Sequence, residues 1–190
     1  MLVDFVDYLH RPEQTRLAEG AGRLVAEFCK AGIAIGVVTN QAGVDRQLYS
    51  WPDYFAVEAE IDRQLAGFDV ALDGVAACPF HPEFTRDWSE SHAYWRKPGP
   101  GMVELLVDGL NLCRKKCWLI GDTADDIGAA RAAGLPGAIL LLTGHGARNT
   151  AAATELASES FEVTVLQDLE AALPFLRQRL ALSCDLREQD

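Results

Sequence analysis

The sequence predicts an α/β fold: a three-layer sandwich with a mostly parallel sheet, helices on both faces and no large cap domain. Three observations predict it. Short apolar runs, several of them rich in β-branched residues, recur at Ile33 to Val38, Val70 to Cys78, Trp118 to Ile120, Ala138 to Leu142 and Phe161 to Leu166. Segments with apolar residues at helical spacing lie between most of these runs. Nothing long enough to form a separate cap is inserted among them. Strands alternating with helices imply parallel pairing, because parallel neighbours need a long crossover connection.

Residues 1 to 19 mix charges with Pro12 and read as an irregular lead-in loop. From Gly20 to Ala31, Ala21, Leu24, Val25 and Phe28 share a helical face, and Gly32 stops the helix. Ile33 to Val38 reads as a buried strand that ends in Thr39, Asn40, Gln41 and then Gly43. Tyr54, Val57, Ile61 and Leu65 mark a helix over 53–66, with Pro52 suited to its start. Val70 to Cys78 is a second strand, 79–90 a loop, and RKPGPG (Arg96 to Gly101) a constrained turn before a helix marked by Met102, Leu105, Leu106 and Leu110. Trp118 to Ile120 is a short buried strand closed by Gly121, and the Ala-rich run IGAARAAGL continues as a helix. Pro136 and Gly137 break the chain before the strand at 138–142. Residues 143–157, small and polar, read as a loop. The last strand is Phe161 to Leu166. Leu169, Ala172, Leu173, Leu176 and Leu180 then form a closing amphipathic helix that Pro174 kinks or restarts. One domain over 1–182 is expected, followed by a frayed tail at 183–190.

The net charge of −11 argues against nucleic acid or an anionic membrane as a partner. It does not exclude an anionic substrate, since a local Lys, Arg or metal reverses the sign at a site. Five scattered cysteines, Cys29, Cys78, Cys113, Cys117 and Cys184, read as reduced thiols of a cytoplasmic protein. No signal peptide or run of membrane-spanning length is visible. A monomer is expected.

Polar groups that packing does not ask for gather in three places. Thr39-Asn40-Gln41, at a strand's carboxyl end, offers a hydroxyl and backbone amides to a phosphate, or is an ordinary turn. Arg96-Lys97-Pro98 holds a lysine on a constrained turn, where it neutralises a phosphoryl group or is simply solvated. In CWLIGDTADD, Asp122 sits where α/β sheets bind ligands and suits a hard cation such as Mg²⁺. The plain alternative is that Asp122 caps a helix whose positive end favours Asp125 and Asp126.

Taken in order, these clusters resemble the second, third and fourth motifs of the haloacid dehalogenase-like (HAD) phosphatases. The resemblance runs from about Tyr8 to Gly144. It is nearest to the group that includes heptose-bisphosphate and histidinol phosphatases, on VVTNQAGV, CPFHP, RKPGPGM, IGDTADDIGAARAAG and YLHRPEQTRLAEGA. It implies a HAD-like Rossmannoid fold and a Mg²⁺-dependent phosphatase acting on a small phosphorylated sugar. Thr39 and Asn40 would bind the departing phosphoryl group and Lys97 would stabilise its charge. Gln41 and Arg96 would hold substrate. Asp122 would ligate the metal, with Asp126 supporting the loop or the metal's waters.

Two features depart from the family. Its first motif, a hydrophobic strand followed by Asp-x-Asp, is absent: Asp4 and Asp7 lack that spacing and the glycine turn. That motif supplies the nucleophile, and its strand lies at the sheet's centre. Either the sequence begins after the motif or the strand has been lost, with residues 2 to 6 as a replacement. A non-catalytic phosphate-ligand binder is therefore the second functional expectation. Members of the group also carry structural Zn²⁺ on a Cys-x-His and a Cys-x-Cys. Here Cys78 remains, Phe80 stands in place of the His, and Ala93 and Trp95 replace the cysteines. His81 and His92 substitute only in part, so no zinc is expected and apolar packing is expected to hold the loop.

Overall fold

The computed structural model describes residues 2–184. Its elements are α1 (Ala21–Lys30), β1 (Gly36–Asn40), α2 (Ala42–Asp45), α3 (Trp51–Ala66), β2 (Gly74–Cys78), α4 (Glu90–Trp95), α5 (Gly101–Gly109), β3 (Trp118–Gly121), α6 (Ala124–Ala132), β4 (Gly137–Leu141), α7 (Gly146–Thr154), β5 (Glu162–Leu166) and α8 (Leu169–Cys184). All ladder pairs are parallel. They form two separate sheets, β1-β2 and β3-β4-β5. Thr39 lies opposite Ala77, Asn40 opposite Cys78 and Gly121 opposite Leu140.

The core shows why this is one sandwich. Every residue of β4 is buried. Ala138 and Leu140 pack with Val103 and Val107 of α5, Ile127 and Ala130 of α6 and Ala153 of α7. Ile139 and Leu141 pack instead with Leu24 and Phe28 of α1 and with Leu173 and Leu176 of α8. Side chains alternate across a strand, so β4 is the middle layer. The first sheet shares that layer. Val38 packs on the α5–α6 side, and Ile33 and Ile35, just before β1, pack on the α1–α8 side. Between β1 and β3 runs a cleft of about 1780 Å³.

Several boundaries differ from the sequence reading. β1 begins at Gly36, because Ile35 N–H donates to the Asp73 side chain at 2.7 Å before the ladder with β2 starts. β2 begins at Gly74 because Val70 N–H still bonds to Leu65 at the end of α3. The expected loop at 143–157 contains helix α7. Its Ala-rich stretch has high helix propensity but no conventional apolar stripe, and the residues it buries are the small Gly146 and Ala153. Helix α4 was likewise not expected. It is one short turn-and-a-half opened by Ser89 and His92. Pro174 lies inside a continuous α8 and does not restart it. The expected tail at 183–190 is helical through Cys184, and residues 185–190 lie outside the described residues. Residues 2 to 6 do not form a sheet strand: Val3 makes one antiparallel bridge, to Leu17. No described helix is long and apolar enough to cross a membrane.

Candidate active site

The site lies at the carboxyl ends of β1 and β3, where a chain of hydrogen bonds joins the three polar clusters. Asn40, the last residue of β1, clamps the backbone of Lys97 from both sides. Its Nδ2 donates to Lys97 O at 3.2 Å and its Oδ1 accepts from Lys97 N–H at 3.1 Å. That clamp fixes the turn, whose Lys97–Pro98 peptide is cis. Lys97 Nζ then reaches back to Val38 O at 3.0 Å and to Asp126 Oδ1 at 2.6 Å.

Asp126 is the hub. Its Oδ2 accepts from Asp122 N–H at 3.2 Å, Thr123 N–H at 3.0 Å and the Thr123 hydroxyl at 2.7 Å. The return bond from Asp126 N–H to Thr123 Oγ1 completes a capping box at the start of α6. Burial pushes the Asp126 carboxyl up, but the Lys97 charge, its hydrogen bond and those from Thr123 hold it below the usual carboxylate range. Asp125, one residue earlier, is pushed up, first by burial of its carboxyl and then by the negative Asp126.

Asp122, at the end of β3, is buried, and its Oδ2 accepts from His145 N–H at 2.8 Å. Asn149 supports that loop: its Nδ2 donates to His145 O at 2.9 Å while its Oδ1 accepts from Ala124 N–H at 3.1 Å. Thr39, Gln41, Lys97, Asp122 and Asp126 all line the cleft. Gln41 Nε2 donates to Thr39 Oγ1 at 2.9 Å, and the Tyr49 hydroxyl donates to Gln41 Oε1. Burial, then the neighbouring Tyr8, pushes Tyr49 up to about 12, so it remains a neutral donor. Tyr49→Phe should cost about 1–3 kcal/mol of stability by leaving the Gln41 carbonyl unsatisfied, measured by urea unfolding.

The structure assigns some predicted residues other work. Arg96 does not line the cleft: its Nη1 donates to Phe80 O at 2.8 Å and tethers the preceding loop. The Asn40 side chain is spent on the Lys97 turn. Both Asp126 oxygens are engaged, so a direct metal role rests on Asp122, whose Oδ1 has no hydrogen-bond partner among the described residues. One carboxylate fits Mg²⁺, which binds through one or two carboxylates together with phosphate oxygens and water. No group of three or more metal-binding side chains occurs among the described residues. Where zinc ligands stand in the resembled family, Phe80 meets the His92 ring edge-on at 4.5 Å and Trp88 stacks on His92 at 5.8 Å.

Sequence reasoning missed His145, Asn149 and Tyr49. The first acts through its backbone, which no side-chain pattern reveals. The neighbouring Gly146 is fixed by packing, since a Cβ there would lie 1.6 Å from Leu141 O, and only the fold shows that contact.

Comparison with known proteins bears on the family of the chain. Residues 94–172 match the HAD-hydrolase-like family model. The D-glycero-β-D-manno-heptose-1,7-bisphosphate 7-phosphatase of Rhodopseudomonas palustris is 34% identical over 130 residues, covering 68% of this chain and 72% of the relative. The enzyme of the same name from Escherichia coli is 32% identical over 137 residues, 72% of each chain. A crystal structure of D,D-heptose 1,7-bisphosphate phosphatase from B. bronchiseptica, complexed with magnesium and phosphate, superposes with a TM-score of 0.80. It is 25% identical and covers 94% of this chain and 93% of its own. The chain therefore belongs to the HAD-like phosphatases, in the group of the heptose-bisphosphate phosphatases.

Proposed function

We propose that this HAD-like phosphatase is Mg²⁺-dependent and hydrolyses a small sugar phosphate, with the 7-phosphate of D-glycero-D-manno-heptose 1,7-bisphosphate as first substrate. The observation that carries the reading is the bonded chain Asn40–Lys97–Asp126–Asp122, which brings a lysine and a buried carboxylate to one cleft beside Thr39. Phosphoryl transfer needs mainly positioning and charge neutralisation. Thr39 donates to a phosphate oxygen. Lys97 lies within reach of the same space and offsets charge as the ester bond lengthens. Asp126 fixes Lys97 in place, and Asp122, oriented by His145 N–H, would hold the cation. Bound Mg²⁺ supplies neutralisation of the phosphate's negative charge.

The test is phosphate release from a panel of sugar phosphates that includes the heptose bisphosphate, with and without Mg²⁺. Release is expected from the heptose ester with Mg²⁺ and is expected to vanish in Asp122→Asn while the fold persists. A panel with no turnover sinks the catalytic reading. One observation favours a second reading, phosphate-ligand binding without turnover: both Asp126 oxygens are engaged by Lys97 and Thr123, and the remaining carboxylate oxygen of Asp122 is the one a cation would take, so neither serves as the nucleophile. Saturable binding of inorganic phosphate, lost in Lys97→Met, together with zero turnover, would support it.

A further inference from the structure

We propose that Tyr49 is a positioning residue for phosphate recognition: acting through Gln41, it turns the proton of the Thr39 hydroxyl outward into the cleft. This role rests on the reading that Thr39 donates to a phosphate oxygen, and it supplies what fixes the direction of that bond.

A threonine hydroxyl has one proton and two lone pairs, and it rotates to suit its neighbours. A glutamine beside it presents either a carbonyl or an amide, with opposite results. A carbonyl against Oγ1 takes the proton away from any ligand. An amide fills one lone pair and leaves the proton for an acceptor elsewhere. In this protein the amide faces Thr39: Gln41 Nε2 donates to Thr39 Oγ1 at 2.9 Å. Among the described residues, Thr39 Oγ1 accepts that bond and donates none, and Thr39 lines the cleft together with Lys97 and Asp122.

Three observations hold the glutamine in that sense. First, the Tyr49 hydroxyl donates to Gln41 Oε1, which commits the carbonyl end to Tyr49 and the amide end to Thr39. Second, the direction of the Tyr49 bond is itself set. Burial, then the neighbouring Tyr8, raises the phenol, and a backbone hydrogen bond from Gly43 opposes them. A bond that favours the ionised form is one the backbone N–H donates, so the phenol's own proton is left for Gln41. Third, the parts are held in place. A Cβ on Gly43 would lie 2.0 Å from the Tyr49 ring, so glycine is what lets the ring lie against α2. The His10 ring stacks parallel on Tyr49 at 5.6 Å, and Gln41 N–H donates to Cys78 O at 2.7 Å. The bonds therefore run one way, from Gly43 N–H through Tyr49 and Gln41 to Thr39, and bonds in such a chain polarise one another. The last of them, to a phosphate oxygen, is charge-assisted.

The experiment titrates the full 190-residue chain with inorganic phosphate in the presence of Mg²⁺, by calorimetry, and needs no turnover. Thr39→Val, which removes the hydroxyl and keeps the shape, is expected to weaken phosphate binding about tenfold or more. Tyr49→Phe keeps the ring and removes only the donor. It is expected to weaken binding about three- to tenfold when Thr39 is present or replaced by serine, and to add nothing in the Thr39→Val background, where there is no proton to aim. An equal loss with and without the hydroxyl would show that Tyr49 acts through packing alone and would overturn the proposal, as would an unchanged affinity in Tyr49→Phe. Should Tyr49→Phe not fold, Gln41→Leu breaks the same chain one bond later and is expected to show the same dependence on the hydroxyl; a loss independent of Thr39 there would overturn the proposal too. Unchanged binding in Thr39→Val would instead remove the phosphate role of Thr39 itself, and the role of Tyr49 with it.

Discussion

Replacing Lys97 with methionine is expected to cost about 3–5 kcal/mol of folding stability, the cost of leaving a buried charge without its partner. The ammonium sits 2.6 Å from Asp126, and the two side chains are only 12% and 9% exposed. Solvent cannot replace the lost partner at that depth. Asp126 would be left as a carboxylate facing Val38 O and the end of β1. The loss should be largely repaired in the double variant Lys97→Met with Asp126→Asn, because a neutral amide needs no counter-charge and its carbonyl still accepts from Thr123. Urea unfolding of both singles and the double measures the coupling. A change below about 1 kcal/mol for Lys97→Met would mean that the pair behaves like a solvated surface bridge.

The same pair sets a pH dependence. The Asp126 carboxyl lies below its ordinary value of 3.8 in the folded protein. Its contribution is complete above that value and is lost as pH falls through the lower folded one. The acid limb of the stability curve should therefore flatten in Asp126→Asn. A limb of unchanged steepness would assign acid sensitivity to other carboxylates.

Gly146→Ala is expected to be the most damaging single-methyl addition. A Cβ there would stand 1.6 Å from the Leu141 carbonyl oxygen and 2.6 Å from its carbon. These are backbone atoms of the fully buried β4, so no rotamer change relieves the contact. The loop between β4 and α7 must move, at about 1–3 kcal/mol or more. That loop presents His145 N–H to Asp122. Stability and phosphate affinity should fall together, seen by thermal unfolding and by phosphate titration. Lost stability with intact affinity would show that Asp122 does not depend on the loop for its orientation.

Much of the fold was legible because its signals are local. Ile33 to Val38, Val70 to Cys78 and Ala138 to Leu142 announce strands by β-branched and apolar runs. Pro52 marks a helix start near 53, which the structure realises two residues earlier, at Trp51, behind a Ser50–Asp53 capping box. Helix α7 was missed for an equally local reason. GARNTAAAT has the propensity of a helix but hides its buried face in alanine, which hydrophobic periodicity barely registers.

The site divides along the same line. The sequence by itself determined the α/β class, the order of the polar clusters and the candidacy of Thr39, Lys97 and Asp122, because strand ends and constrained turns are marked by residue type. Only the tertiary structure decided what each polar group does. It turned Asn40 into the clamp of the Lys97 turn, sent Arg96 to Phe80 O, and spent both oxygens of Asp126 on Lys97 and Thr123. It also opened the cleft between β1 and β3. The physical reason is that a buried polar atom must be satisfied by whichever partner the packing delivers, and partners 29 or 57 positions apart in the chain are chosen by the fold.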